Sequence, residues 1–151
     1  MSHFGGQRGP VIEVNLAILA DAANTSAEGK LNILGEFNML MTEAPPWMLV
    51  GRSLVVRLVG HAGDEGPHTV GLRLLDQDRN LVWSSGDAAI DFPRARVAGA
   101  PARLQAIMGL PPLILPTAGD YELEILIDGE AKGCIELYCI LRGDVPGHAE
   151  G

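Results

Sequence analysis

Residues 119–140 read GDYELEILIDGEAKGCIELYCI. Tyr121, Leu123, Ile125 and Ile127 alternate with Glu122, Glu124 and Leu126, the period-two signature of a strand with one buried face, before Asp128-Gly129 turns the chain back. A two-residue turn would place Ile125 opposite Lys132 on the buried face. A three-residue turn with Gly129 in the left-handed region instead pairs Ile125 with Ala131, Leu123 with Gly133 and Tyr121 with Ile135, and this is the register expected. It also sets Glu124 against Lys132 on the outer face, a pair worth about 0.2 to 1 kcal/mol. Ile135, Leu137 and Cys139 then continue the buried row.

Outward from this hairpin the chain repeats the pattern. Ile12, Val14, Leu16, Ile18 and Ala20 share one face of a first strand, and Leu31, Ile33, Phe37, Met39 and Met41 form an inward row in a second. Between them Asp21 to Lys30 reads as a loop. Thr42 to Gly51 is a loop with an apolar tip, Trp47 to Val50, after Pro45-Pro46. Ser53 to Gly60 (SLVVRLVG) is apolar on both faces apart from Arg57, as in a strand covered on both sides. Val70, Leu72 and Leu74 define the next strand, and Leu81 to Ser85 and Ala88 to Phe92 two short ones. After the irregular stretch PRARVAGAP, residues 93–101, the row Leu104, Ala106, Met108 and Leu110 precedes Pro111-Pro112. With no segment of helical period, the expected fold is all-β: a two-sheet antiparallel β-sandwich of Ig-like, Greek-key type with eight or nine strands. Its core should hold Leu16, Ile18, Ile33, Phe37, Val55 or Val56, Leu72, Leu74, Leu104, Tyr121, Leu123, Ile125, Ile135 and Leu137. Residues 11–141 are expected as a single domain between a flexible start, 1–10, and a flexible tail, 142–151.

Composition bounds the function. The 151 residues suit one core, 47% of them are hydrophobic and only 5% aromatic, so the interior is built from aliphatic side chains. A formal charge of −8 opposes the counterion release on which phosphate-backbone binding depends, so no nucleic acid partner is expected. Cys134 and Cys139 lie on one strand about 16 Å apart, beyond disulfide reach. Neither a signal peptide nor a membrane-length apolar run is visible, which makes the cytoplasm the expected compartment.

Ala17 to Asp21 (AILAD), Gly29 to Gly35 (GKLNILG) with the Pro-containing loop after it, Pro116 to Tyr121 (PTAGDY) and Asp128-Gly129 occur together here. In these the chain resembles an uncharacterised bacterial domain-of-unknown-function family of small β-sandwich proteins, over about Val11 to Leu141. The resemblance implies the fold and transfers no catalytic or binding residue.

Candidate chemistry is sparse. His61, Asp64, Glu65 and His68 lie within one turn and are metal-capable, against the simpler reading of a solvated connection with no second shell. Asp76, Asp78, Asn80 and Asp87 fit four positions of a calcium loop, but Leu81 stands where that loop needs Gly. No serine sits in a nucleophile elbow, and Cys134, facing outward between Glu122 and Glu136, should have a raised pKa that disfavours attack. No cofactor is expected.

What remains is apolar surface. Trp47 and Met48 after Pro45-Pro46, and Pro111 to Pro116, are segments that either cap the ends of the fold or anchor a partner. Leu126, Cys134, Tyr138 and Ile140 form an outer row more apolar than a solvent face requires, a surface for a homodimer or larger assembly. The leading expectation is a non-catalytic protein–protein interaction or assembly module. A ligand-binding module holding a small molecule or metal in its end loops is the alternative, and a hydrolase ranks third.

Overall fold

The computed structural model describes residues 11–144. These are all-β: eleven strands and a closing 3-10 turn, Arg142–Asp144. With strands numbered in chain order, one sheet runs β2 (Leu31–Phe37), β1 (Glu13–Thr25), β5 (Ser53–Gly60), β8 (Ala102–Gly109). The second runs β3 (Met39–Thr42), β11 (Glu130–Leu141), β10 (Gly119–Ile127), β6 (Gly66–Leu75), β7 (Leu81–Phe92), and β4 (Trp47–Leu49) pairs with β9 (Leu113–Leu115) as a small third sheet. Among the described residues no helix is long and apolar enough to cross a membrane.

The strand count departs from the eight or nine expected for particular reasons. The stretch after Leu31 splits at Asn38, two short strands form in segments read as loops, and the two strands expected between Leu81 and Phe92 are one. Nor is the pairing wholly antiparallel. Past Asn38 the chain leaves the first sheet and joins the second as β3, beside β11 and parallel to it, from Tyr138 opposite Met39 to Leu141 opposite Thr42.

The hairpin forms where the sequence places it but in another register. Asp128 and Gly129 have φ of 52° and 84°, a two-residue turn with both central residues left-handed, and Ile127 faces Glu130. The clash of Lys132 with the buried row is avoided by a bulge, so Leu126 faces Ala131 while Ile125 already faces Gly133. Leu123 then pairs with Ile135 and Tyr121 with Leu137, and Glu124 faces Cys134 rather than Lys132. A side chain at Gly133 would come within 3.0 to 3.3 Å of the Val14 side chain, so β1 and β11 approach here as closely as glycine allows.

One buried cluster draws on both large sheets: Leu54, Val56 and Leu58 from β5 meet Leu72 and Leu74 from β6, Tyr121, Leu123 and Ile125 from β10, and Ile135, Leu137 and Cys139 from β11. A register shift between Val14 and Leu16 inverts the phase of β1, so Ala17 and Leu19 pack on the core in place of Leu16 and Ile18. Along β2 and β3 Phe37 packs inward as expected, but Ile33, Met39 and Met41 are exposed, and Leu40 packs inward in their place. Val55, on the opposite row from Leu54 and Val56, is also 0% exposed. Ile18 and Ile107 are its partners on the two neighbouring strands. Of the expected tail, Arg142–Asp144 is the 3-10 turn, and its remainder, like residues 1–10, lies outside the described residues.

Leu123 is 1% exposed at the centre of the second sheet. Leu123→Ala should cost about 2–5 kcal/mol in a denaturant titration, and a cost under about 1 kcal/mol would contradict this packing. Gly129→Val should lower the melting temperature, because a β-branched residue resists the left-handed turn. An unchanged melting temperature would mean the turn is built otherwise.

Candidate functional site

On one flank the two sheets are linked through β2 and β3. On the other their edge strands, β7 and β8, stand unjoined among the described residues, and a cleft of about 410 Å³ opens between them. Val56, Leu58 and Leu72 form its floor; Val70, Trp83, Ala88 and Ile90 line one wall, and Leu104, Ala106 and Met108 the other. The size and lining are those of a small-molecule or peptide site.

The cleft exists because of residue size and bulging. The inward positions of β7 run Trp83, Gly86, Ala88, Ile90, opposite Leu74, Leu72, Val70 and His68 of β6, so the middle of the wall is a glycine and an alanine. Gly86 has φ of 74°, and a Cβ there would meet nothing within 4 Å. The register slips beside it, between Leu72 and Arg73, and two serines hold the slip. Ser85 Oγ accepts the Leu72 N–H at 2.9 Å and donates to the Gly86 carbonyl at 2.7 Å, while Ser84 Oγ accepts the Gly86 N–H at 3.3 Å. With Ala106 across the gap, the inward row of β8 is only half-buried: Leu104, expected in the core, is a cleft wall. The sequence signal was the small pair Gly86 and Ala88 within an otherwise bulky inward row; what it lacked was that β7 and β8 are both edges.

The metal-capable quartet does not converge. His68 is buried, with Nδ1 2.6 Å from Asp128 Oδ2 and Nε2 2.7 Å from the Asp64 carbonyl. The Asp64 carboxylate accepts the main-chain N–H groups of Val11 at 2.9 Å and His61 at 2.7 Å, and Glu65 accepts that of Gly63 at 3.0 Å. These residues brace a loop, and among the described residues no three His, Cys, Asp or Glu side chains are grouped to hold a metal ion. Asp76 likewise closes its own turn by accepting from Asp78 and Asn80, and Asp87 lies away on β7.

The outer face of the second sheet carries a network of ion pairs over β6 and β10. Glu124 is buried between Arg73, at 2.7 Å, and Arg79, at 3.3 Å, and Arg79 also reaches Glu122 at 3.1 Å. Burial alone would raise the Glu124 pKa, but the bonds and charges of the two guanidinium groups together hold it low. Leu126 is 8% exposed and has no apolar area left for a partner. Cys134 is exposed and Tyr138 and Ile140 half-buried, with the Tyr138 hydroxyl donating to Glu136. Burial first, then Glu122, Glu136 and Glu124, push the Cys134 thiol up. The two apolar loops meet each other, Trp47 opposite Leu115 and Leu49 opposite Leu113, which buries Leu49, Leu113 and Leu115 and leaves Met48 and Ile114 outside. The Trp47 Nε1 is buried without an acceptor among the described residues.

The His68 contacts generate a prediction. Both ring nitrogens face acceptors, so both donate and the ring is cationic; the Asp128 bond raises the His68 pKa against the opposing effect of burial. The same bond lowers that of Asp128. Stability from His68 is complete below about pH 6.5, its unfolded value, and is lost as pH rises through the raised folded pKa; that from Asp128 is present above about pH 4 and lost as pH falls through its lowered one. The wild-type melting temperature should therefore fall more steeply than that of His68→Gln as pH rises above about 6.5, and parallel curves would refute the cationic pair.

No curated protein matches the chain in sequence. Among solved structures it is similar to part of the Pseudomonas fluorescens alkylpurine DNA glycosylase AlkC bound to DNA containing an abasic site analog, at 12% identity and a TM-score of 0.43. That likeness covers 85% of this chain and 30% of the glycosylase, so the chain spans under a third of that enzyme, and it carries no argument about function. Residues 15–140 match the profile described as a family of unknown function, DUF6941. The chain, from β1 to the end of β11, therefore belongs to this family.

Proposed function

We propose that the protein is a non-catalytic binding module and that its site is the cleft between β7 and β8, where it holds an elongated apolar group. In this reading the domain is an Ig-like, Greek-key sandwich with one flank left open for a ligand. The observation that carries it is the half-buried inward row Leu104, Ala106 and Met108, part of the wall of a volume of about 410 Å³ whose lining is mostly apolar. An apolar group lying between the two walls would supply both with dispersion partners. The lining offers Ser84 and Ser85 but no acid, base or thiol, so it suits binding rather than proton transfer.

The test uses two apolar probes, anilinonaphthalene sulfonate and dodecanoate. The expected result is that the dye brightens with the native protein, that dodecanoate displaces it and raises the melting temperature, and that Met108→Asp or Ala88→Arg abolishes both effects while retaining the circular dichroism of the fold. Equal dye binding by the native protein and both variants, or none by the native protein, would overturn the assignment.

A further inference from the structure

The cleft is flanked by two free strand edges that differ in kind. β7 is blunted: its register with β6 slips twice, Gly86 breaks its extended course, the serines bond back onto their own backbone, and Asp87 and Asp91 are exposed on it. Each of these discourages a further strand from pairing. β8 has only one such feature, the exposed charge of Arg103 at its start. Its eight residues pair with β5 without interruption, from Gly60 opposite Ala102 to Ser53 opposite Gly109, and prolines occur only outside it, at Pro101 and Pro111. Its far side presents unpaired backbone groups beside the apolar cleft, about 26 Å of template at ~3.3 Å per residue.

A second asymmetry lies at one end of this edge. Residues 93–101 join the end of β7 to the start of β8 and so cross that end of the cleft. This loop and the first turn of β8 carry Arg94, Arg96 and Arg103, all exposed, which together line a hollow of about 450 Å³ with Pro93, Val97 and Ala102. Elsewhere among the described residues the basic side chains are engaged: Arg52 with Asp21, Arg57 with Gln105, Arg73 and Arg79 with Glu124, Lys30 with Glu28, Lys132 with Glu130, Arg142 with Glu43. Arg96 and Arg103 have no carboxylate partner among the described residues, and Arg94 makes no hydrogen bond or close ion pair there but acts through its charge on Glu65, in a chain whose formal charge is −8. Three exposed cations with a single carboxylate, Glu65, near one of them, at the end of an apolar trough in an acidic protein, fit an occupant that is apolar along its length and acidic at one end.

Resting on the cleft as the binding site, we propose that its occupant is an extended segment of another polypeptide that adds to β8 as a further strand. Antiparallel pairing, the stronger arrangement and the one β5 already makes with β8, directs alternate apolar side chains of this segment into the cleft above Gly86 and Ala88. It also brings the C-terminal end of the segment to Arg94, Arg96 and Arg103, so that end carries the acidic residues. The arginines fix direction and speed the encounter, while backbone pairing and the apolar row hold the segment.

The probe is a fluorescein-labelled synthetic peptide of about ten residues that alternates valine with threonine and ends in three glutamates, titrated against the full chain by anisotropy. Binding is expected, and charge reversal of all three arginines to Glu (Arg94→Glu, Arg96→Glu, Arg103→Glu) should weaken it at least tenfold and be rescued by a peptide ending in lysines. N-methylating alternate peptide nitrogens in one frame should abolish binding and in the other frame leave it, since only one edge of an added strand pairs with β8. Equal binding by both methylated frames would overturn strand addition. So would a native chain that binds dodecanoate but not the peptide, a result that leaves the cleft as an apolar ligand site. Failure of dye, dodecanoate and peptide alike would overturn both the strand and the cleft. A stable dimer in sedimentation that excludes the peptide would name a second copy of this chain as the occupant and also overturn the proposal.

Discussion

Two sheets that share one core must be closed along both flanks or leave apolar side chains facing water, and this chain closes only one. Facing sheets lie about 10 Å apart, so the edges need a strand or loop to bridge them. At β2 and β3 a single residue, Asn38, makes the crossing, and its carbonyl accepts the Tyr138 N–H at 2.8 Å to fix the new strand against β11. At β7 and β8 the connection crosses only one end. The exposed row of β8, the small residues of β7 and the cleft all follow from that difference.

The closed parts are held by contacts that leave little surface to spare. Asp128 turns the last hairpin through its left-handed backbone, accepts the Thr69 N–H at 3.0 Å with one carboxylate oxygen and engages His68 with the other, so one residue ties the hairpin tip to β6. On the outer face of the same sheet Arg73 and Arg79 pair with Glu124 and Glu122, which spreads charge across β6 and β10. The loops carrying Trp47 and Leu115 cap each other. Inter-sheet apolar area that remains unsatisfied is concentrated in the cleft.

The all-β class, the strand and turn at Asp128-Gly129 and the buried row Tyr121, Leu123 and Ile125 were legible because each depends on residues close in sequence. The phase of β1 after Val14 and the pairing beyond Lys132 were not, because a bulge is decided by the partner strand: alternation alone makes Leu16 and Ile18 equivalent to Leu19 until β5 sets the register. The metal-capable loop looked like a ligand set because composition does not reveal that Asp64 and Glu65 spend their carboxylates on main-chain N–H groups. The cleft was hidden for a topological reason. Gly86, Ala88 and Ala106 are unremarked small residues until β7 and β8 are known to be edges on the same side.

The central claim is that the open flank is a built site and not a packing defect, and the thermal stability of two variants without any ligand tests it most directly. Ala88→Leu and Ala106→Leu add apolar volume between the walls of the cleft, so the account predicts that each raises the melting temperature while the protein loses its affinity for an apolar dye. A fall in melting temperature in both variants, with dye affinity unchanged, would mean that the flank is already closed in solution and would contradict the account.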